Sequence, residues 1–159
     1  RKPTGTKGER RMPRTKRSYY HYISALLLAA PVAKATPEFS YYPDPSLPDI
    51  AAVTFLPGNK PVITYNPALC KQAGPSLCEF YRYHEIAHIV LDHNNREDLS
   101  IKDKEREADQ WAAKYAPMRS VKAAFRYFQS GGGSTPTHGS SRIRAERMIA
   151  STENRLKPD

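Results

Sequence analysis

FYRYHEIAHIVLDH, Phe80 to His93, decides how the rest of this chain is read. It holds His84, Glu85 and His88 in the spacing HExxH. On a helix, residues i and i+4 share a face, so both imidazoles point the same way and can close on one metal ion. Neutral imidazole suits zinc, and a catalytic zinc site needs three protein ligands and one open position. Glu85 stands next to that position, where it can take the proton of a water activated by the metal. The expected cofactor is one Zn²⁺ per chain.

The third ligand must come from elsewhere. The longer pattern HExxHxxGxxH fails, because Leu91 stands where Gly is required and Asn94 where the third His should be. His93 is one residue out of place, and past the helix end it is expected to face solvent. Downstream, in KEREADQWAAKYA, Glu105 and Asp109 are again four apart and share a helical face. Glu105 can complete a His2Glu set. Asp109, one turn on, can accept a hydrogen bond from the free ring nitrogen of a ligand His and so fix its tautomer.

HEIAHIVLDH followed by EREAD, an ExxAD pattern, resembles the gluzincin metallopeptidases, in particular the CAAX prenyl endopeptidase family and its small soluble periplasmic relatives. The resemblance covers roughly residues 50 to 150. It implies Glu105 as third zinc ligand and Asp109 as the acid behind a ligand His. Two further segments are similar: TYNPAL after an upstream hairpin, and Thr137-His138-Gly139 in place of the family's THP. By that likeness His138 approaches the zinc, either as a removable fourth ligand or as a donor to the oxyanion. The chain departs from the family in the 16 residues separating His88 from Glu105, in the absence of membrane helices and in Gly139 for Pro.

Charge argues against a nucleic-acid partner once it is located. The net charge of +9 sits largely in residues 1 to 17, which carry eight Lys or Arg against Glu9, whereas residues 36 to 159 are close to neutral. Residues 1 to 35 read as a basic leader and secretory signal peptide. MPRTKR precedes the apolar run YISALLLAAPV, and Ala33-Lys34-Ala35 supplies a small-x-small cleavage pattern. The run is too short for a stable membrane span. The expected location is exported, periplasmic or secreted. In such a compartment Cys70 and Cys78 are most simply a disulfide, two free buried thiols being the alternative.

Residues 36 to 48 read as an extended Pro/Tyr-rich arm that wraps the domain or hangs free, and 49 to 159 as the metallopeptidase domain. IAAVTF and PVITY flank a Pro-Gly-Asn turn and predict a hairpin whose edge can pair with an extended peptide. Helices are expected over about Ser76–Asp92, from a Ser100 cap to near Pro117, over Ser120–Gln129 and in RIRAERMIA. SGGGSTPTHGSS reads as a mobile, lid-like loop. The fold class is α+β, a zincin-type domain. The expected function is zinc-dependent endopeptidase action on exported or envelope proteins, the partner being a peptide or unfolded protein. The rivals are a zinc-containing binding or chaperone module and a regulatory gluzincin that cleaves a repressor.

Overall fold

In the computed structural model, which describes residues 38–152, the Pro-Gly-Asn turn folds as the sequence asks. Gly58 (φ 80°) and Asn59 (φ 59°) both take the left-handed region that reverses the chain in three residues. The strands on either side, β2 (Ala51–Leu56) and β3 (Lys60–Tyr65), pair antiparallel, with Val53 opposite Ile63. The arm does not hang free. Ser40–Pro43 forms β1, which runs parallel to β3 and completes a three-stranded sheet in the order β1-β3-β2. Tyr41 stacks on Tyr65 at 4.5 Å, and the Arg82 guanidinium lies 5.0 Å over the Tyr41 ring. The signal peptide and its cleavage site lie outside the described residues.

Five helices follow, so the described residues form an α+β fold. The first is α1 (Pro67–Ala73), which is not among the helices expected from the sequence. Asn66 caps it by accepting from the N–H groups of Ala68 and Leu69, with Pro67 at the first helical position. The Asn66 amide also donates to the carbonyls of Pro45 and Leu47, so one side chain starts a helix and ties down the segment after β1. Gly74 (φ 84°) turns the chain directly into α2 (Pro75–Val90). The disulfide Cys70–Cys78 spans this corner.

The HExxH-bearing helix α2 lies at the centre, against β2, β3, α1, α3 and α4. Its buried residues Leu77, Phe80 and Tyr81 pack at the N-terminal end, His84 and Glu85 follow a turn later, and Ala87 and Ile89 are buried beyond them. α3 (Ile101–Tyr115) starts at Ser100, whose hydroxyl accepts from the Asp103 N–H and donates to the Asp103 carboxylate. It buries Glu105, Ala108, Asp109, Ala112 and Ala113, a helical stripe whose small residues let it lie close to its neighbours. α4 (Met118–Gln129) buries Val121, Ala124 and Phe128, the last edge-on to Phe80 at 6.0 Å. α5 (Ser141–Thr152) returns against α3 and α4. Among the described residues no helix is long and apolar enough to cross a membrane.

Candidate metal centre

The HExxH spacing does locally what helix geometry requires. His84 Nε2 and His88 Nε2 lie 3.3 Å apart on one face of α2. α3 packs across that face and delivers Glu105, whose Oε2 is 3.0 Å from His84 Nε2 and whose Oε1 is 3.6 Å from His88 Nε2. Ligand atoms 2.0–2.1 Å from a tetrahedral zinc stand about 3.3 Å from one another; the His84–His88 and His84–Glu105 separations are close to that edge, while the contact to His88 is made by the other carboxylate oxygen. The buried trio of His84, His88 and Glu105 could therefore hold a metal ion. His84 is wholly buried, and the His88 and Glu105 side chains are 12% and 8% exposed, which leaves the approach on the His88 side.

Asp109 lies one turn below Glu105, with Oδ1 3.0 Å from His84 Nδ1. A carboxylate accepts only, so Nδ1 carries a proton, and once His84 is neutral it is the Nε2 lone pair that faces a metal. Two arginines that sequence reasoning missed hold this acid in turn. Arg144, completely buried on α5, grips both Asp109 oxygens at 2.7 and 3.1 Å. It also donates to the Gly133 carbonyl and lies 4.3 Å over the Phe128 ring. Arg147 donates to Asp109 Oδ2 (3.2 Å) and to the carbonyl of His138 (3.1 Å). Both arginines lie three residues apart on α5, a spacing that marks a shared face but does not name the face's target.

The glycine-rich segment is a tied turn, which departs from the mobile lid read from its composition. Thr135 and Gly139 bridge through two backbone hydrogen bonds, and the Thr135 hydroxyl accepts from the His138 N–H while lying 2.8 Å from His138 Nδ1. Gly133 (φ 75°) sits so close to Phe128 that a Cβ there would stand 2.7 Å from the ring. The turn places His138 Nε2 3.1 Å from Glu105 Oε2, and with His84 and Glu85 it forms a second group whose ligand atoms lie within 4.8 Å of one another.

Glu85 is buried, and its Oε2 accepts from the Val53 N–H at the free edge of the sheet (2.9 Å). Burial raises its carboxyl to about 7, opposed in part by the charge of His84. Burial works against the His84 imidazolium, but Asp109 and Glu105 outweigh it and lift that group to about 10. Burial likewise opposes ionisation of Glu105, yet the contact with His84 holds it down near 2. His88 is pushed down to about 3 by burial and by the charge of His84. A neutral His88 beside an ionised Glu105 is the protonation state of metal ligands, whereas His84 would release its Nε2 proton on binding an ion.

His93 overturns the expectation that it faces solvent. It is 3% exposed, because the end of α2 is a Schellman turn: Asp92 takes φ 55°, its N–H donates to Ile89, and the His93 N–H reaches back to His88. His93 is thereby folded onto the ring of His88.

A cavity of about 370 Å³ opens over the cluster, lined by Val53, Glu85, His88, Glu105, Thr137 and His138 among others. Comparisons with protein-family models, curated proteins and solved structures return no match.

Proposed function

We propose that this protein is a zinc-dependent endopeptidase, with a zincin-type fold, that acts on peptides or unfolded proteins in an exported compartment. One observation carries the reading: two imidazoles and a carboxylate converge within reach of one metal ion beside a second buried carboxylate, Glu85, that is held apart by the Val53 N–H. A zinc ion held by His84, His88 and Glu105 would supply Lewis-acid polarisation of a scissile carbonyl and a water whose pKa falls to about 7.

The chain's own groups divide the remaining work. Glu85, raised to about 7, is tuned to take a proton from water and return it to the leaving amine. The Val53 N–H holds Oε2, so the other oxygen is the one free to move protons. Asp109 orients His84, and Arg144 and Arg147 orient Asp109. His138, whose Nε2 approaches Glu105, is placed to donate to an oxyanion or to occupy the fourth ligand position. The free edge of β2 runs along the cavity and offers main-chain pairing to an extended peptide, which fits cleavage without a strict sequence requirement. The disulfide and the leader sequence support export.

The test combines metal analysis of the purified chain with cleavage of an unbiased peptide library by wild type and Glu85→Gln. Zinc near one per chain in both proteins and cleavage by wild type alone are expected. Equal cleavage by both removes Glu85 as base, and bound zinc without any cleavage points to a metal-containing binding module.

A further inference from the structure

His88 offers Nε2 to the cluster, which leaves its Nδ1 to be accounted for. That atom lies 2.9 Å from Nδ1 of the buried His93, and His93 Nε2 lies 3.3 Å from Glu107 Oε2 on α3. The two rings meet edge to face, 4.8 Å between centroids. Hydrogen-bond valence fixes every proton in this line. An ionised carboxylate accepts only, so the proton of a neutral His93 sits on Nε2. His93 Nδ1 is then bare and accepts, so His88 Nδ1 carries a proton and His88 Nε2 presents a lone pair to the cluster.

We propose that Glu107, acting through His93, is a positioning residue that sets His88 in the tautomer able to bind zinc. His84 has its acid in direct contact, whereas His88 reaches its acid through a second imidazole. Other groups hold the backbone of this relay: the Schellman turn fixes His93, and Lys104 Nζ donates to the His93 carbonyl at 2.7 Å. The Glu107 side chain is 31% exposed, so little of the core depends on it. The identity of the metal rests on the function proposed above, but the order of protons along Glu107, His93 and His88 does not.

The experiment has two arms on wild type, Glu107→Ala and Glu107→Gln. In chelator-stripped protein, long-range ¹H–¹⁵N NMR of the histidine rings should show His93 protonated at Nε2 and His88 at Nδ1, a preference lost in Glu107→Ala. Gln keeps an oxygen acceptor and should keep the preference. In zinc competition against a chromophoric chelator, Glu107→Ala should bind roughly 10 to 100-fold more weakly, Glu107→Gln close to wild type, and the melting temperature of the stripped proteins should be unchanged. Wild-type zinc affinity in Glu107→Ala, or His88 protonated at Nε2 in the stripped wild type, would overturn the proposal. If wild type bound no zinc, the peptidase reading would fall while the tautomer arm still decided the relay.

Discussion

Replacing Arg144 by Met removes a guanidinium from the interior while keeping most of its apolar bulk. Asp109 is then left wholly buried with its fork partner gone. Removing one side of a buried ion pair costs about 3–5 kcal/mol, because the remaining charge has lost its compensation. Arg147 still stands 3.2 Å from Asp109 Oδ2, so the low end, about 3 kcal/mol, applies here. For a folded region of this size each kcal/mol moves the melting temperature by roughly 4 °C, which predicts a fall of about 12 °C. The assay is thermal unfolding followed by circular dichroism at pH 7 in chelator, so that metal binding does not contribute. Arg144→Lys, which restores charge without the fork, should fall between the two. Acid titration supplies a second reading. Burial opposes ionisation of Asp109, but His84 and Arg144 hold its carboxyl well below its ordinary value of 3.8. The stability this contributes is therefore present above about pH 4 and is lost as the pH falls further, and the loss should be shallower in Arg144→Met. A melting temperature within about 2 °C of wild type would refute the burial and pairing assigned to Asp109.

Other expectations follow from the same centre. Asp109→Asn should weaken zinc binding roughly 10 to 100-fold and Glu105→Ala more severely; the reverse order in a chelator competition would exchange their roles. His138→Ala should lower turnover by about 10² to 10³ with zinc retained, as for an oxyanion donor, whereas a rise would make His138 a displaceable ligand. In stripped protein, Glu85 keeps its proton up to about pH 7 folded but only to about 4.5 unfolded, so stability should decline as the pH rises through that window. Glu85→Gln should flatten the decline and melt higher than wild type at pH 8, and parallel profiles would count against the burial of that carboxyl. Reducing Cys70–Cys78 should cost about 2 to 3 kcal/mol in the chain-entropy model, read as a lower melting temperature; an unchanged one would mean the corner at Gly74 holds without it.

What could be read from the sequence was what local geometry fixes. His84 and His88 meet because four residues make one turn, and Glu105 and Asp109 share a face for the same reason. The hairpin was legible because Pro57, Gly58 and Asn59 can do little but turn. Partners set by folding were not. Arg144 finds Asp109 across 35 residues, and Ser40 finds Val62 only because β1 happens to lie parallel to β3. α1 was missed for its brevity, although Asn66 before Pro67 is a helix-start signal. His93 was misread because a left-handed residue usually announces itself as Gly, and here it is Asp92.

The hydrogen bond from Val53 to Glu85 also bears on how the sheet ends. β2 is an edge strand, and its outward-facing N–H groups alternate along the chain, at Ala51, Val53 and Phe55. Such an edge can recruit a second copy of itself and begin a stack. With the middle rung occupied by Glu85, no incoming strand meets three open rungs in a row. The carboxylate that would drive hydrolysis thus also guards the sheet, and a peptide docking there must straddle Val53, which limits the registers it can adopt.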